Sequence, residues 1–182
     1  VAQADALIAA EPGVVPMTLH ADCMAILLCD PVQRVVATIH AGWRGTVAGV
    51  SAESIRTMTE RFGTKPADVL AYLGPAIGPC CYEVGSEVVD GWKATTFDEQ
   101  DLAVRPSPER ADRWMFDLAA ANRVQFLAGG LRAVNIEASG ICTRCAGDGW
   151  FSHRGQGALT GRYGSFIALT ESEEGFGVER RV

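Results

Sequence analysis

Three short, almost continuously apolar runs occupy residues 14–19, 24–29 and 34–40, set apart by polar turns. Runs this short and this apolar read as strands buried on both faces. Asp30-Pro31 between the second and third is a turn signal, and those two runs are close enough to pair as a hairpin. The period then changes. After the glycine-rich stretch at 41–45, Val47, Val50, Ile55, Met58 and Phe62 recur at helical spacing up to Gly63, which predicts a strand, a tight turn and an amphipathic helix.

Further strands are expected at 69–73, 133–136 and 165–169, and further helices at 83–94 and 117–128, the last stopped by Gly129-Gly130. Residues 95–113 carry little periodicity and read as an exposed excursion; residues 142–161 read as a long loop and 171–182 as a loose tail. Strands and helices interleave, yet the hairpin breaks a purely parallel pattern, so a mixed sheet with helices outside it is expected. With 182 residues, 48% of them hydrophobic, the chain supports one domain and one core.

Composition narrows the partners. The net charge is −6, with 16 Lys and Arg against 22 Asp and Glu, which is no footprint for a polyanion, and nucleic acid is not expected. The apolar runs are far shorter than the roughly 20 residues a membrane span needs, so no membrane association is expected. The first residues show neither a basic region nor a long apolar stretch, so no signal peptide is expected. Six cysteines are too few for a disulfide scaffold, which points to a reducing, cytoplasmic setting. The chain opens without Met on a structured-looking stretch at 4–8, as though a segment precedes it.

Cys23 and His40 stand at the ends of two successive predicted strands, where side chains can converge on one pocket. A thiolate and an imidazole suit zinc, but a catalytic zinc asks for a third protein ligand, and one Cys and one His seventeen residues apart are by themselves no metal signature. A small core thiol and a buried, hydrogen-bonded imidazole are the plainer reading of that pair. His20, three residues before Cys23, falls on the opposite face of a regular strand and is a poor co-ligand unless the chain bends.

The block from His40 to Thr46 says more. Its glycines allow close backbone approach, Arg44 can grip an anion bidentately, and the amides of Gly45 and Thr46 open a helix, so Arg44, Gly45 and Thr46 form a candidate phosphate or carboxylate cradle. A glycine turn with Trp43 as packing is the alternative. Cys80, Cys81, Cys142 and Cys145 can be read as a zinc site or as redox pairs, but adjacent cysteines chelate poorly and buried thiols are the favoured reading. The zinc deaminase signature is absent, since His40 is followed by Ala41-Gly42 and Pro79 by Cys80-Cys81-Tyr82. Residues 151–154 and 160–162 add His153, Arg154 and Arg162 on a loop near a strand start.

The runs at 20–23, 40–45, 73–85 and 151–162, in that order, resemble the YfiH-like family, also called laccase-domain or multicopper polyphenol oxidoreductase proteins. The resemblance implies an α+β fold of mixed β-sheets with flanking helices, shared with the cytotoxic necrotizing factor toxins. It implies a zinc held by two histidines and one cysteine, the cysteine falling on Cys23 and the second histidine on His40. The first histidine lies in the family upstream of the Ala4 region, and this sequence begins after it, lacking the N-terminal part of the family domain. Gly155 stands where the family usually has a second arginine.

The activity so implied is phosphorolysis of purine nucleosides (adenosine, inosine, methylthioadenosine) with adenosine deamination, so the expected partners are a nucleoside and phosphate. On that reading Arg44, Cys23 and His40 are catalytic, Arg44, Gly45 and Thr46 bind phosphate, and Cys23 and His40 hold zinc, with copper as the other metal. Three readings compete with it. One is the copper-dependent polyphenol oxidation of the family's older name, which three histidines are too few to support. The others are a metal-free cysteine hydrolase using Cys23 and His40, and a binding domain whose site is dead.

Overall fold

The structure is a computed structural model and describes residues 4–171; the tail expected at 171–182 lies, after Glu171, outside the described residues. The strands are β1 (Ala6–Ala9), β2 (Met17–His20), β3 (Met24–Asp30), β4 (Val35–Ala41), β5 (Leu70–Leu73), β6 (Glu83–Val84), β7 (Val104–Pro106), β8 (Trp114–Phe116), β9 (Ile136–Ala138) and β10 (Tyr163–Phe166). The helices are α1 (Trp43–Val47), α2 (Val50–Phe62), α3 (Ser86–Lys93), α4 (Leu118–Ala128) and α5 (His153–Gln156).

The expected hairpin forms the centre. β3 and β4 pair antiparallel around a turn in which Asp30 Oδ1 accepts the amides of Val32 and Gln33, and the five-stranded sheet runs β1-β4-β3-β5-β9. Only β5 and β9 are parallel in it, so the sheet is mixed, as the pattern predicts. Ile26, Leu28, Ala37 and Ile39 are fully buried between layers. On one side α2 packs against β4 and α4. On the other lies a two-stranded ribbon of β2 and β10, resting on β3 and β4.

The run at 14–19 departs from its expected burial. β2 alternates, with Met17 and Leu19 exposed and Thr18 and His20 buried, because it pairs only with β10 and turns its polar face to the sheet. There the hydroxyls of Thr18, Thr38 and Ser165 are mutually hydrogen-bonded at 2.8–3.0 Å. The helix expected through 47–62 is two helices, α1 and α2, broken at Gly49, whose φ of 81° is left-handed and ends helical propagation.

Other boundaries also shift. The segment expected as a helix from 83 begins with strand β6, which pairs with β8, and α3 starts only at Ser86. The excursion at 95–113 is partly ordered into the core: Trp92 Nε1 donates to the Gln100 carbonyl at 2.9 Å, and β7 pairs with β8. A single turn of 3-10 helix occupies Ala133–Asn135, so the strand expected at 133–136 is β9, starting at Ile136. Likewise β10 begins two residues before the run expected at 165–169 and ends at Phe166. Among the described residues no helix is long and apolar enough to cross a membrane.

Candidate functional site

The hairpin register builds the site. Met24 pairs with Ala41 and Ala25 with His40, and one further step sets Cys23 across from Gly42. A Cβ on Gly42 would lie 2.9 Å from Cys23 Sγ and 3.7 Å from His40 Cε1, so this glycine leaves the hollow that the thiol and the imidazole share. Thr38 and His40, two apart on β4, both point to the ribbon side. His40 Nδ1 lies 3.1 Å from Asp5 Oδ1. A carboxylate can only accept, so Nδ1 carries the proton and Nε2 presents its lone pair, the arrangement in which a second-sphere carboxylate orients a metal-binding histidine.

Cys23 reaches this corner through a bend at Asp22, whose φ of 80° is left-handed. A non-glycine residue there is strained by on the order of 1 kcal/mol, and its bonds hold it in place. Asp22 Oδ1 accepts the Thr143 hydroxyl at 2.7 Å, Oδ2 accepts the Arg154 amide at 2.6 Å, and its carbonyl accepts the Ile77 amide at 2.9 Å. Burial first, then Asp22 and Asp5, push the Cys23 thiol above its ordinary range, with Arg162 opposing. A bound cation would act on the thiol in the opposite sense.

The same bend lets His20 approach. Its ring centroid lies 5.4 Å from that of His40 and 5.4 Å from that of Tyr163. Nε2 is engaged by the hydroxyls of Thr18 at 2.8 Å and Ser165 at 2.9 Å, whereas Nδ1 is buried and has no hydrogen-bond partner among the described residues. Burial, followed by the neighbouring His40, lowers its pKa to about 4, the Cys23 backbone pulling the other way, so His20 is neutral.

Three arginines surround this corner. Arg44 stacks its guanidinium 4.5 Å over the Trp43 ring, and that of Arg154 lies 5.4 Å from the Tyr82 ring. Burial and then Cys23 push the Tyr82 hydroxyl up to about 12, against the pull of Arg154 and Arg44, and Arg162 acts on Cys23 itself. Tyr163 closes the ribbon side, its hydroxyl donating to the Pro75 carbonyl at 2.5 Å.

Arg44, Cys23 and His40 thus gather in one region, but Thr46 does not join them. Thr46 is fully buried; its amide donates to the Gly42 carbonyl at 2.8 Å and its hydroxyl accepts from Asn122 Nδ2 at 3.1 Å, so it anchors α1 to α4 and offers nothing to an anion. Gly45 lies against Asp5, 3.5 Å separating a Cβ built on it from Oδ2, an unfavourable place for a second anion. His153 is exposed at the start of α5.

The reading of Cys80, Cys81, Cys142 and Cys145 as buried thiols is corrected: Cys80 and Cys145 are exposed and the other two half-buried. They form the one group of three or more metal-type donors whose atoms all lie within 4.8 Å of one another among the described residues. Asp5, Asp22, Tyr82 and Tyr163 went unmarked as site residues in the sequence. Asp22 adjoins Cys23, Tyr82 adjoins the cysteine pair and Tyr163 adjoins Arg162, which was the available signal; Asp5 has no such neighbour.

A family model described as multi-copper polyphenol oxidoreductase laccase matches residues 1–170. The chain belongs to that family. Its relatives include a purine nucleoside phosphorylase of Bacteroides thetaiotaomicron, 39% identical over 91% of this chain and 60% of its own length. Another is the adenosine deaminase RL5 of an unknown prokaryotic organism, 40% identical over 87% of this chain and 59% of its own. The crystal structure of Bacillus licheniformis YfiH superposes with a TM-score of 0.88 at 36% identity, over 91% of this chain and 61% of that one. The chain thus spans about 60% of the length of these relatives, and it has the YfiH-type α+β fold of this laccase family.

Proposed function

We propose that this domain catalyses phosphorolysis of purine nucleosides, with hydrolytic deamination of adenosine as a second activity. The observation that carries the reading is the placement of Arg44 and Arg154 near Tyr82 and of Arg162 near Cys23, cations for inorganic phosphate that share the corner with Asp22 and Asp5 beside an aromatic wall. The names of the relatives support it, one being a phosphorylase and one a deaminase.

Cys23 Sγ and His40 Nε2 are the donors for a zinc ion. They would be two of the three protein donors that a catalytic zinc asks for: they share the Gly42 hollow, and Asp5 orients His40. When bound, such an ion supplies Lewis acidity and an activated water. The chain's own residues do the rest: Arg44 holds phosphate, Tyr82 and Tyr163 shape the purine pocket, and Asp22 keeps Cys23 and the Arg154 amide in register. A multicopper centre, which takes many histidine ligands, does not fit a chain with three histidines. A nucleophilic Cys23 is disfavoured as well, since its surroundings raise the thiol pKa where a hydrolase would need it lowered.

The test is the rate of base release from inosine and adenosine, with and without phosphate, for this chain and for a form of its relatives' length. Loss of a bidentate charged contact in Arg44→Ala should raise the phosphate KM by roughly 10- to 100-fold. Phosphorolysis with unchanged phosphate dependence in that variant removes Arg44 from the mechanism, and absence of phosphorolysis in both forms removes the reading.

A further inference from the structure

The four-cysteine group plays no part in the site just described. Its sulfur atoms come from two loops, Cys80 and Cys81 following Gly78-Pro79, and Cys142 and Cys145 flanking Thr143-Arg144. Core packing does not account for the gathering, because Cys80 and Cys145 are exposed. Nor is one disulfide singled out: Cys145 Sγ lies 3.5 Å from Cys80 Sγ and 3.4 Å from Cys81 Sγ. A tetrahedral ion with metal–sulfur bonds of about 2.3 Å separates its sulfurs by about 3.8 Å, and here all four sulfurs lie within 4.8 Å of one another.

The backbone around the sulfurs is arranged for the same end. The amides of Cys81 and Tyr82 both donate to the Gly78 carbonyl at 2.9 Å, a tight turn that brings the adjacent thiols to one side. The Ala146 amide donates to the Cys142 carbonyl at 2.9 Å, closing the Cys-x-x-Cys loop into a knuckle. Between them the Gly78 amide donates to Cys142 Sγ at 3.2 Å, the kind of bond that stabilises a coordinated thiolate. Gly78 can be nothing larger without displacement, since a Cβ there would lie 3.2 Å from Cys142 Cβ and 3.3 Å from Cys80 Sγ. Arg144 and Arg154 line the cleft beside Cys80 and Cys81, together with Glu83 and Glu109.

We propose that Cys80, Cys81, Cys142 and Cys145 bind one structural zinc ion, distinct from the metal at Cys23 and His40, which clasps the loop at 78–82 to the loop at 142–146. On binding, the thiols release their protons to solvent and each sulfur donates one electron pair, with no redox change. The clasp has a direct line to the catalytic corner. Thr143, between two of the ligands, donates to Asp22 beside Cys23, and Tyr82 follows Cys81 in sequence. The four cysteines are positioning residues for that corner.

Metal content decides the matter without reference to activity. The chain, purified under reducing conditions from zinc-supplemented cells, is analysed by plasma mass spectrometry beside Cys142→Ser/Cys145→Ser and Cys23→Ser. The expected result is about one zinc fewer per chain in the double variant and retention of the clasp zinc in Cys23→Ser. Cobalt substituted for zinc should show sulfur-to-metal charge-transfer bands that fall sharply in the double variant, to what the single thiolate of Cys23 supplies, and persist in Cys23→Ser. Should the double variant fail to fold, Cys145→Ser alone should still bind zinc but roughly tenfold or more weakly. Equal metal content in wild type and variants, copper or iron in place of zinc, or a mapped disulfide in metal-free protein overturns the proposal.

Discussion

Adding one methyl group at Gly42 isolates the geometry of the corner from the stability of the fold. Gly42 has φ −73° and ψ 173°, extended backbone that alanine adopts freely, so Gly42→Ala adds no dihedral strain. The new Cβ falls 2.9 Å from Cys23 Sγ, about 0.6 Å inside an ordinary contact of roughly 3.5 Å. Overpacking of this kind costs about 1–3 kcal/mol, and the half-buried position puts it near the lower end. Loss of glycine's freedom in the unfolded chain returns about 0.4–1 kcal/mol. Net stability should therefore change by less than about 1 kcal/mol, while Cys23 Sγ is driven from the shared hollow. Zinc affinity at Cys23 and His40 should fall by at least roughly 10-fold, and turnover by on the order of 100-fold if the reacting geometry shifts by about 1 Å. A competition titration against a chromophoric chelator measures the first, with urea unfolding in parallel. Both are run in the Cys142→Ser/Cys145→Ser background so that only one zinc site is read. Wild-type zinc affinity in a folded Gly42→Ala chain would refute the assignment of the hollow to a metal.

Two further outcomes follow from the same corner. Asp5→Asn keeps the size of the side chain but frees the His40 tautomer, so zinc should bind roughly 10- to 100-fold more weakly at near-constant melting temperature; an unchanged titration would show that His40 is oriented by other contacts. His20 gives the metal-free chain a pH signature: its folded pKa near 4 lies below the ordinary 6.5, so between these values the unfolded chain binds a proton that the folded one refuses. Stability is undiminished above pH 6.5 and falls as the pH drops toward 4, by up to about 3 kcal/mol, a slope that His20→Gln should abolish in urea titrations at successive pH values.

Much of the frame was legible because apolar period alone specifies it. The β3–β4 hairpin and the α4 boundary before Gly129 follow from runs and breakers that act locally. The same locality explains the misses. Nothing near Met17 announces that β2 presents its polar residues to a layer contributed by Ser165, nearly 150 residues away. Thr46 reads as an anion ligand because it opens a helix, whose first amides favour negative charge, whereas its fate is decided by Asn122 and Gln125 of α4, which bond its hydroxyl and its carbonyl. Cys23 and His40 could be paired from strand ends, but Asp5 and Tyr163 enter through β1 and β10, elements whose pairing partners are set by tertiary contacts. The adjacency of Cys80 and Cys81 counted against chelation until the turn at Gly78 brought both sulfurs to Cys145.

The inverted ribbon has a consequence for how the alignment of β2 is chosen. Strand side chains alternate, so a slip by one residue would exchange its faces, tucking Met17 and Leu19 inward and expelling Thr18 and His20. Solvent exclusion favours that slipped alignment, by up to about 1.5–3 kcal/mol for each large apolar side chain. What opposes it is directional: the slip would strand the hydroxyls of Thr38 and Ser165 in a dry layer, at about 1–3 kcal/mol for each unmet group, and forfeit the bonds around His20 Nε2. The alignment that carries Tyr163 and His20 to Cys23 is therefore selected by hydrogen-bond matching against the preference of oil for oil. Replacing the Thr18, Thr38 and Ser165 hydroxyls together would leave the ribbon two competing alignments, of which one does not bring His20 and Tyr163 to Cys23.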